Sequence, residues 1–170
     1  MDKKIPVFAW YFPNWHADLR NDAWHGKGWT EWEVAQCARP RFEGHKQPNI
    51  PLWGYEDESD PRVMEKKIDT ALKYGIEGFL WDMYWFEDGG YRFRALDDGF
   101  FGAKNSEKLK IALMWCNHDP IYAHPATRKH LPDPFMPGEL TPQAIYNGTE
   151  HIMDNYSNRQ HSRQIRESSG

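Results

Sequence analysis

The chain has little of what would place it quickly. Its 170 residues include two cysteines, Cys37 and Cys116. Two thiols make neither a disulfide framework nor a zinc-ligand pattern, so each reads as a small apolar residue or a free thiol. Basic charge is not in surplus: 21 Lys and Arg stand against 25 Asp and Glu, a net charge of −4. That balance leaves no footprint for nucleic acid, and none is expected as a partner. No apolar run approaches the roughly 20 residues that cross a bilayer, so no membrane insertion is expected. Lys3-Lys4 before an apolar stretch imitates a leader, but the stretch ends in Pro13-Asn14 rather than a small-residue cleavage site. The compartment stays open, with the cytoplasm as the default expectation. His118, His124 and His130 recur across a proline-punctuated loop at a spacing that fits no zinc motif. Neither a metal nor another cofactor is expected.

What the chain does have is aromatic surface. Aromatic residues make up 15% of it, with nine Trp. Indoles in such number serve either a bulky core or a surface that stacks on flat ligands. Several fall where no helical or strand period is visible. Trp24, Trp29 and Trp32 crowd the stretch around Gly26-Lys27-Gly28, and Glu31 lies between two of them. These rings could stack on a flat ligand or pin a long loop to the body of the protein. Glu31 could be a desolvated acid or an acceptor that stabilises a loop or helix start. Both alternatives stay open on sequence alone.

Three apolar segments read as strands: Ile5 to Phe12, Phe79 to Trp81 with Asp82 to Phe86 leading out of it, and Ile111 to Trp115. The first looks buried on both faces. Between the first two strands, 13–59 shows no period, and loops of that length usually carry function or small elements of their own. A helix follows, with Asp60 as N-cap, Pro61 at its first position, Met64, Ile68, Ala71 and Leu72 on one stripe, and Gly75 as its stop. The charged Glu65, Lys66 and Lys67 read as its solvated face. A short helical piece is expected over Ala95 to Ala103. Another helix begins at Thr141-Pro142, with Ile145, Ile152, Met153 and Tyr156 on one face. Strands alternating with helices imply a parallel α/β sheet joined by right-handed crossovers. In such folds ligands gather outside the carboxyl ends of the strands. Those ends carry Tyr11 and Trp15, then Asp82, Tyr84 and Trp85, then Asn117 and His118. Asp82 could bind a ligand or pair with a backbone amide, and His118 could serve the rim or a structural hydrogen bond.

The strings FAWYFPNWH, NDAWHGKGWTEWEVAQCARPRFEGHKQPNIPLWGYEDESDP, YGIEGFLWDMYWF and ALMWCNHD together resemble WbsX-like proteins, also described as glycoside hydrolase family 99-like and related to endo-acting α-mannosidases. The similarity runs in register from about Ile5 to Tyr156. It implies a (β/α)8 TIM-type barrel of which this chain supplies about three βα units, with a long aromatic-rich loop after the first strand. It implies an oligosaccharide or polysaccharide partner and a sugar-facing Tyr11. The site residues expected are Tyr11, Trp15, Trp29, Glu31, Trp32, Asp82, Tyr84, Trp85, Asn117 and His118. The resemblance also places the catalytic acids in a late Asn-Glu-Trp-x-Glu-Gly-type segment that this sequence does not contain. Residues 1–156 are therefore expected to form part of such a domain, with 157–170 a polar, disordered tail. The expected activity is that of a fragment of a glycosidase, inactive alone. A glycosyltransferase of surface-polysaccharide synthesis and a non-catalytic carbohydrate-binding module are the alternatives. Strands left without neighbours would favour self-association.

Overall fold

The structure is a computed structural model that describes residues 5–116, 118–120 and 136–157. The fold is α/β. Strand β1 (Phe8–Tyr11) is followed by helices α1 (Leu19–His25) and α2 (Trp32–Cys37), then α3 (Pro61–Lys73) and strand β2 (Gly78–Phe86). A short β3 (Gly89–Tyr91), a π-helical turn over Ala95–Phe100 and a 3-10 turn over Ser106–Lys108 lead to β4 (Lys110–Cys116). Helix α4 (Pro142–Ile152) runs on into a π-helical turn, Met153–Ser157. The long irregular stretch thus holds two short helices that its sequence period did not reveal.

Two compact units divide the chain: residues up to 83 with 92–114, and residues 84–91 with those from 115 onward. In the first unit, β1 pairs with β2 in parallel, Phe8 opposite Gly78 and Tyr11 opposite Trp81. Lys110 N donates to Glu77 O, which sets the start of β4 beside the start of β2. Alternation along the strands sends Tyr11, Phe79 and Trp81 to one face of the sheet. There the Tyr11 and Trp81 rings stack at 4.2 Å. Helix α3 covers this face with Met64 and Ile68, both fully buried. Each contributes on the order of 1.5–3 kcal/mol of hydrophobic stabilisation.

Helix α3 obeys its sequence signals closely. The Asp60 carboxylate accepts from Arg62 N, and Pro61 occupies the first turn, where its missing N–H costs nothing. Gly75, at φ 82°, lets the Ile76 amide reach Ala71 O and its own amide reach Leu72 O, closing a Schellman motif.

Several expectations are corrected. Strand β1 is not buried on both faces. Among the described residues it pairs with β2 alone, and Ile5, Val7, Phe8, Trp10 and Phe12 are exposed, Trp10 to 66%. The expected lead-out Asp82 to Phe86 is itself strand. In the second unit, Tyr84 to Phe86 pair antiparallel with Gly89 to Tyr91 through a tight turn. Helix α4 also turns differently from its expected face. Ile145 and Met153 are exposed, while Ala144, Gly148 and Tyr156 face inward. The Trp115 and Trp85 rings come so close to Gly148 that a Cβ there would meet them at 2.5 and 3.0 Å. Bulky neighbours select the small side of the helix. The Thr141-Pro142 cap thus marks the start of α4, whereas its aliphatic stripe does not mark its inward face.

Apolar side chains along a strand with one free edge are templates for association. Light scattering after size-exclusion chromatography should therefore give a mass above that of a monomer, falling towards monomer in Trp10→Lys. A strictly monomeric wild type would count against this.

Candidate functional site

The carboxylate of Glu58 lies fully buried where the long irregular stretch meets α3. A bare buried carboxylate would be prohibitively costly, so its partners matter. Oε2 accepts from the Tyr11 hydroxyl at 2.6 Å and from Lys67 Nζ at 3.0 Å. Oε1 accepts from the Trp15 amide at 2.8 Å and lies 3.4 Å from His16 Nδ1. Lys67 Nζ also donates to the Tyr11 oxygen at 2.7 Å, which completes a triangle of ammonium, phenol and carboxylate. Burial pushes the Glu58 carboxyl upward. His16, Lys67, Tyr11 and the Trp15 amide together outweigh it and hold the group below the usual carboxylate value. For Tyr11, burial and the neighbouring Glu58 charge act in the same direction, raising its hydroxyl well above 10. At neutral pH the phenol stays a donor to a charged carboxylate.

Lys67 was expected on the solvated face of its helix, as were Glu65 and Lys66. None of the three is idle. Lys67 is only 21% exposed, because i+3 from Met64 puts it on the flank of the buried stripe. Lys66 pairs with Glu56 at 2.7 Å and lies 4.3 Å from the Trp53 ring centre. Glu65 accepts from the Lys104 amide.

Beside this cluster opens a cleft of about 530 Å³. Its lining includes the rings of Trp15, Trp32, Trp53 and Tyr74, together with Glu56, Lys67 and Lys73. Trp15 and Trp32 pack at 4.0 Å, and Trp32 Nε1 donates to Glu56 O. Tyr55 meets Trp32 edge-on at 5.3 Å. The cleft therefore has aromatic walls and polar, charged corners, a composition suited to a ligand with flat C–H faces and hydroxyls.

The expected site residues do not all converge here. Trp15 and Trp32 line the cleft, and Tyr11 reaches it through Lys67. Trp29 stacks on His25 at 4.1 Å and is not part of the lining. Glu31 stands at the start of α2 but caps nothing. Its carboxylate takes a hydrogen bond from Asn14 Nδ2, so it stabilises the loop. Asp82 is buried and accepts from the Trp10 indole rather than from a backbone amide. In the second unit, Tyr84 meets Tyr91 and His118 edge-on, and Trp85 donates from Nε1 to Ala144 O and packs near His151. Asn117, His124 and His130 lie outside the described residues. The two cysteines form no disulfide, Cys37 being exposed and Cys116 half-buried.

A family model described as Glycosyltransferase WbsX matches residues 7–127. The chain belongs to the WbsX family. Two relatives in Xanthomonas campestris pv. campestris, strains B100 and ATCC 33913, are each named as an uncharacterized protein, WxcX. Each is 37% identical over 112 residues, which cover 65% of this chain and 16% of the relative. The chain thus spans about 16% of the length of the curated relatives it matches. The WbsX match takes in β1, both short helices, α3, β2 and β4, so it includes every residue of the Glu58 cluster and of the cleft.

Sequence reasoning assigned no role to Glu58, His16, Trp53, Lys73 or Tyr74. Glu58 closes the acidic run Glu56-Asp57-Glu58 just ahead of the Asp60 cap. The one usable signal was Lys67 on the flank of an apolar stripe, where a cation needs a nearby anion.

The Glu58 cluster makes stability pH-dependent with a defined sign. A carboxyl held lower when folded adds stability that is complete above its unfolded value, about 4.3 for Glu. That stability is lost as pH falls through the lower folded value. Glu58→Gln should cost about 2 kcal/mol or more at pH 7, because it leaves Lys67 and Tyr11 with a poorer acceptor. Below pH 4 the gap between variant and wild type should narrow in urea titrations. An equal gap at both pH values would show that the charge is irrelevant.

Proposed function

We propose that this chain supplies the glycan-contacting part of a WbsX-type glycosyltransferase, with saccharide held in the aromatic cleft beside Glu58. The observation that carries this reading is the cleft itself, with four aromatic rings and a lysine-rich edge inside a segment that matches a glycosyltransferase family. Pyranose rings present C–H faces to indoles, and their hydroxyls need donors and acceptors at the periphery. Trp53 and Tyr74 offer exposed ring surface, and Thr70 and Glu56 offer polar contacts. In this reading Tyr11 and Lys67 position the wall rather than touch the reacting atoms, since both are committed to Glu58. No catalytic pair is assigned within these residues. Asp82, the best-placed strand-end carboxylate, is engaged by Trp10.

A hydrolase is the second reading, favoured by one feature. β2 ends in a tight antiparallel turn to β3 rather than in a glycine-rich loop opening a helix, the usual cradle for a donor's phosphates. The two readings part in their chemistry. A transferase segment consumes no polysaccharide, whereas a complete hydrolase releases reducing ends.

Calorimetry with a panel of neutral and acidic oligosaccharides tests the proposal. Saturable binding is expected, with Trp53→Ala weakening it by about 1–3 kcal/mol, the usual scale for one aromatic platform. No binding across the panel would refute the glycan reading. Reducing-end release by the chain alone, abolished in Asp82→Asn, would establish the hydrolase instead.

A further inference from the structure

The charged groups around the cleft are unequally committed, and the inequality points to a class of sugar. Glu56 is neutralised by Lys66 at 2.7 Å. Lys67 is held by Glu58 and Tyr11. Lys73 is different. Its ammonium lies 5.7 Å from the Tyr74 ring centre, and among the described residues it has no carboxylate partner. Lys67, Thr70, Lys73 and Tyr74 recur at helical spacing along one flank of α3, so the unpaired ammonium shares a wall with the exposed Tyr74 ring. The carboxyl end of a helix disfavours anions. Here the last carbonyls of α3 are taken up by the amides of Tyr74, Gly75 and Ile76, which leaves Lys73 as the dominant charge at that end of the cleft.

We propose that the cleft selects a saccharide carrying an anionic group, a carboxylate or a phosphate, which pairs with Lys73 while its ring packs on Trp53 or Tyr74. This rests on the carbohydrate reading above and sharpens it. The cleft volume of about 530 Å³ falls within the range of roughly 300–1,000 Å³ usual for small-ligand sites. Trp53 is held in place for such a role by Lys66, which sits against its ring and is itself tied to Glu56. Because Lys73 is exposed, its contribution is screened by salt, and specificity rather than great affinity is what it adds.

The test is calorimetry on the 170-residue chain with three probes: trigalacturonate, its fully methyl-esterified neutral form, and glucose 1-phosphate. Trigalacturonate should bind about fivefold tighter than the ester, on the scale of an exposed ion pair, and added salt should erase the difference. Lys73→Met should remove the preference, so that this variant binds acid and ester equally. Since Lys73 is exposed and bears on no core contact, loss of folding does not confound this variant. Lys73-dependent binding of glucose 1-phosphate without trigalacturonate would support the anion site with phosphate as its source. Equal binding of acid and ester, unaffected by Lys73→Met, would overturn this inference and leave the carbohydrate reading intact. Failure of every probe, with the neutral panel also silent, would overturn both.

Discussion

One buried carboxylate organises the first unit. Glu58 binds the end of β1 through Tyr11, the beginning of the irregular stretch through the Trp15 amide and His16, and the middle of α3 through Lys67. Two stretches far apart in sequence, 11–16 and 58–67, meet here without a strand or helix ladder between them. Desolvating a carboxylate costs several kcal/mol, and such a group persists only where donors surround it. Four do so here. The arrangement is consequently all-or-none: each donor is useful because the others are present, and losing the acceptor strands the Tyr11 hydroxyl and the Lys67 ammonium together.

The cleft inherits its geometry from that constraint. Trp15 and Lys67 belong both to the Glu58 cluster and to the cleft lining. Trp15 in turn sets Trp32, whose indole reaches back to Glu56 O, and Lys66 ties Glu56 to the Trp53 ring. A short chain of contacts therefore runs from a buried charge to three indoles at the surface. It explains why so many large rings can be kept in a region with little regular structure: they are fixed by polar anchors rather than by a strand or helix ladder. Sugar recognition benefits from such rings, because a preset platform loses little side-chain freedom on binding.

Local signals in the sequence were read well where a few adjacent residues decide the outcome. Asp60-Pro61 and Gly75 bracket α3, Thr141-Pro142 opens α4, and the apolar runs mark β1, β2 and β4. The glycan-linked family was legible from fixed residue spacing between Trp24 and Pro61. What stayed hidden depends on partners distant in sequence. The exposure of β1 follows from which strands lie beside it, and no property of Phe8 to Tyr11 states that. The inward face of α4 was set by Trp85 and Trp115, which choose Gly148 over Ile145. Glu58 and Lys67 each look like surface charges, and only the fold reveals them as a pair. Trp29 and Glu31, prominent in sequence, meet His25 and Asn14, partners that their spacing does not announce.

The central claim is that Glu58 fixes the irregular stretch against α3 and so shapes the cleft. Amide hydrogen exchange in Glu58→Leu tests it directly, since leucine fills similar volume without accepting a hydrogen bond. The Trp15 amide, bonded to Glu58 at 2.8 Å, should lose its protection, while amides at Met64 and Ile68 within α3 keep theirs. Unchanged protection at Trp15 would contradict the account, because the stretch would then be held by something other than this carboxylate.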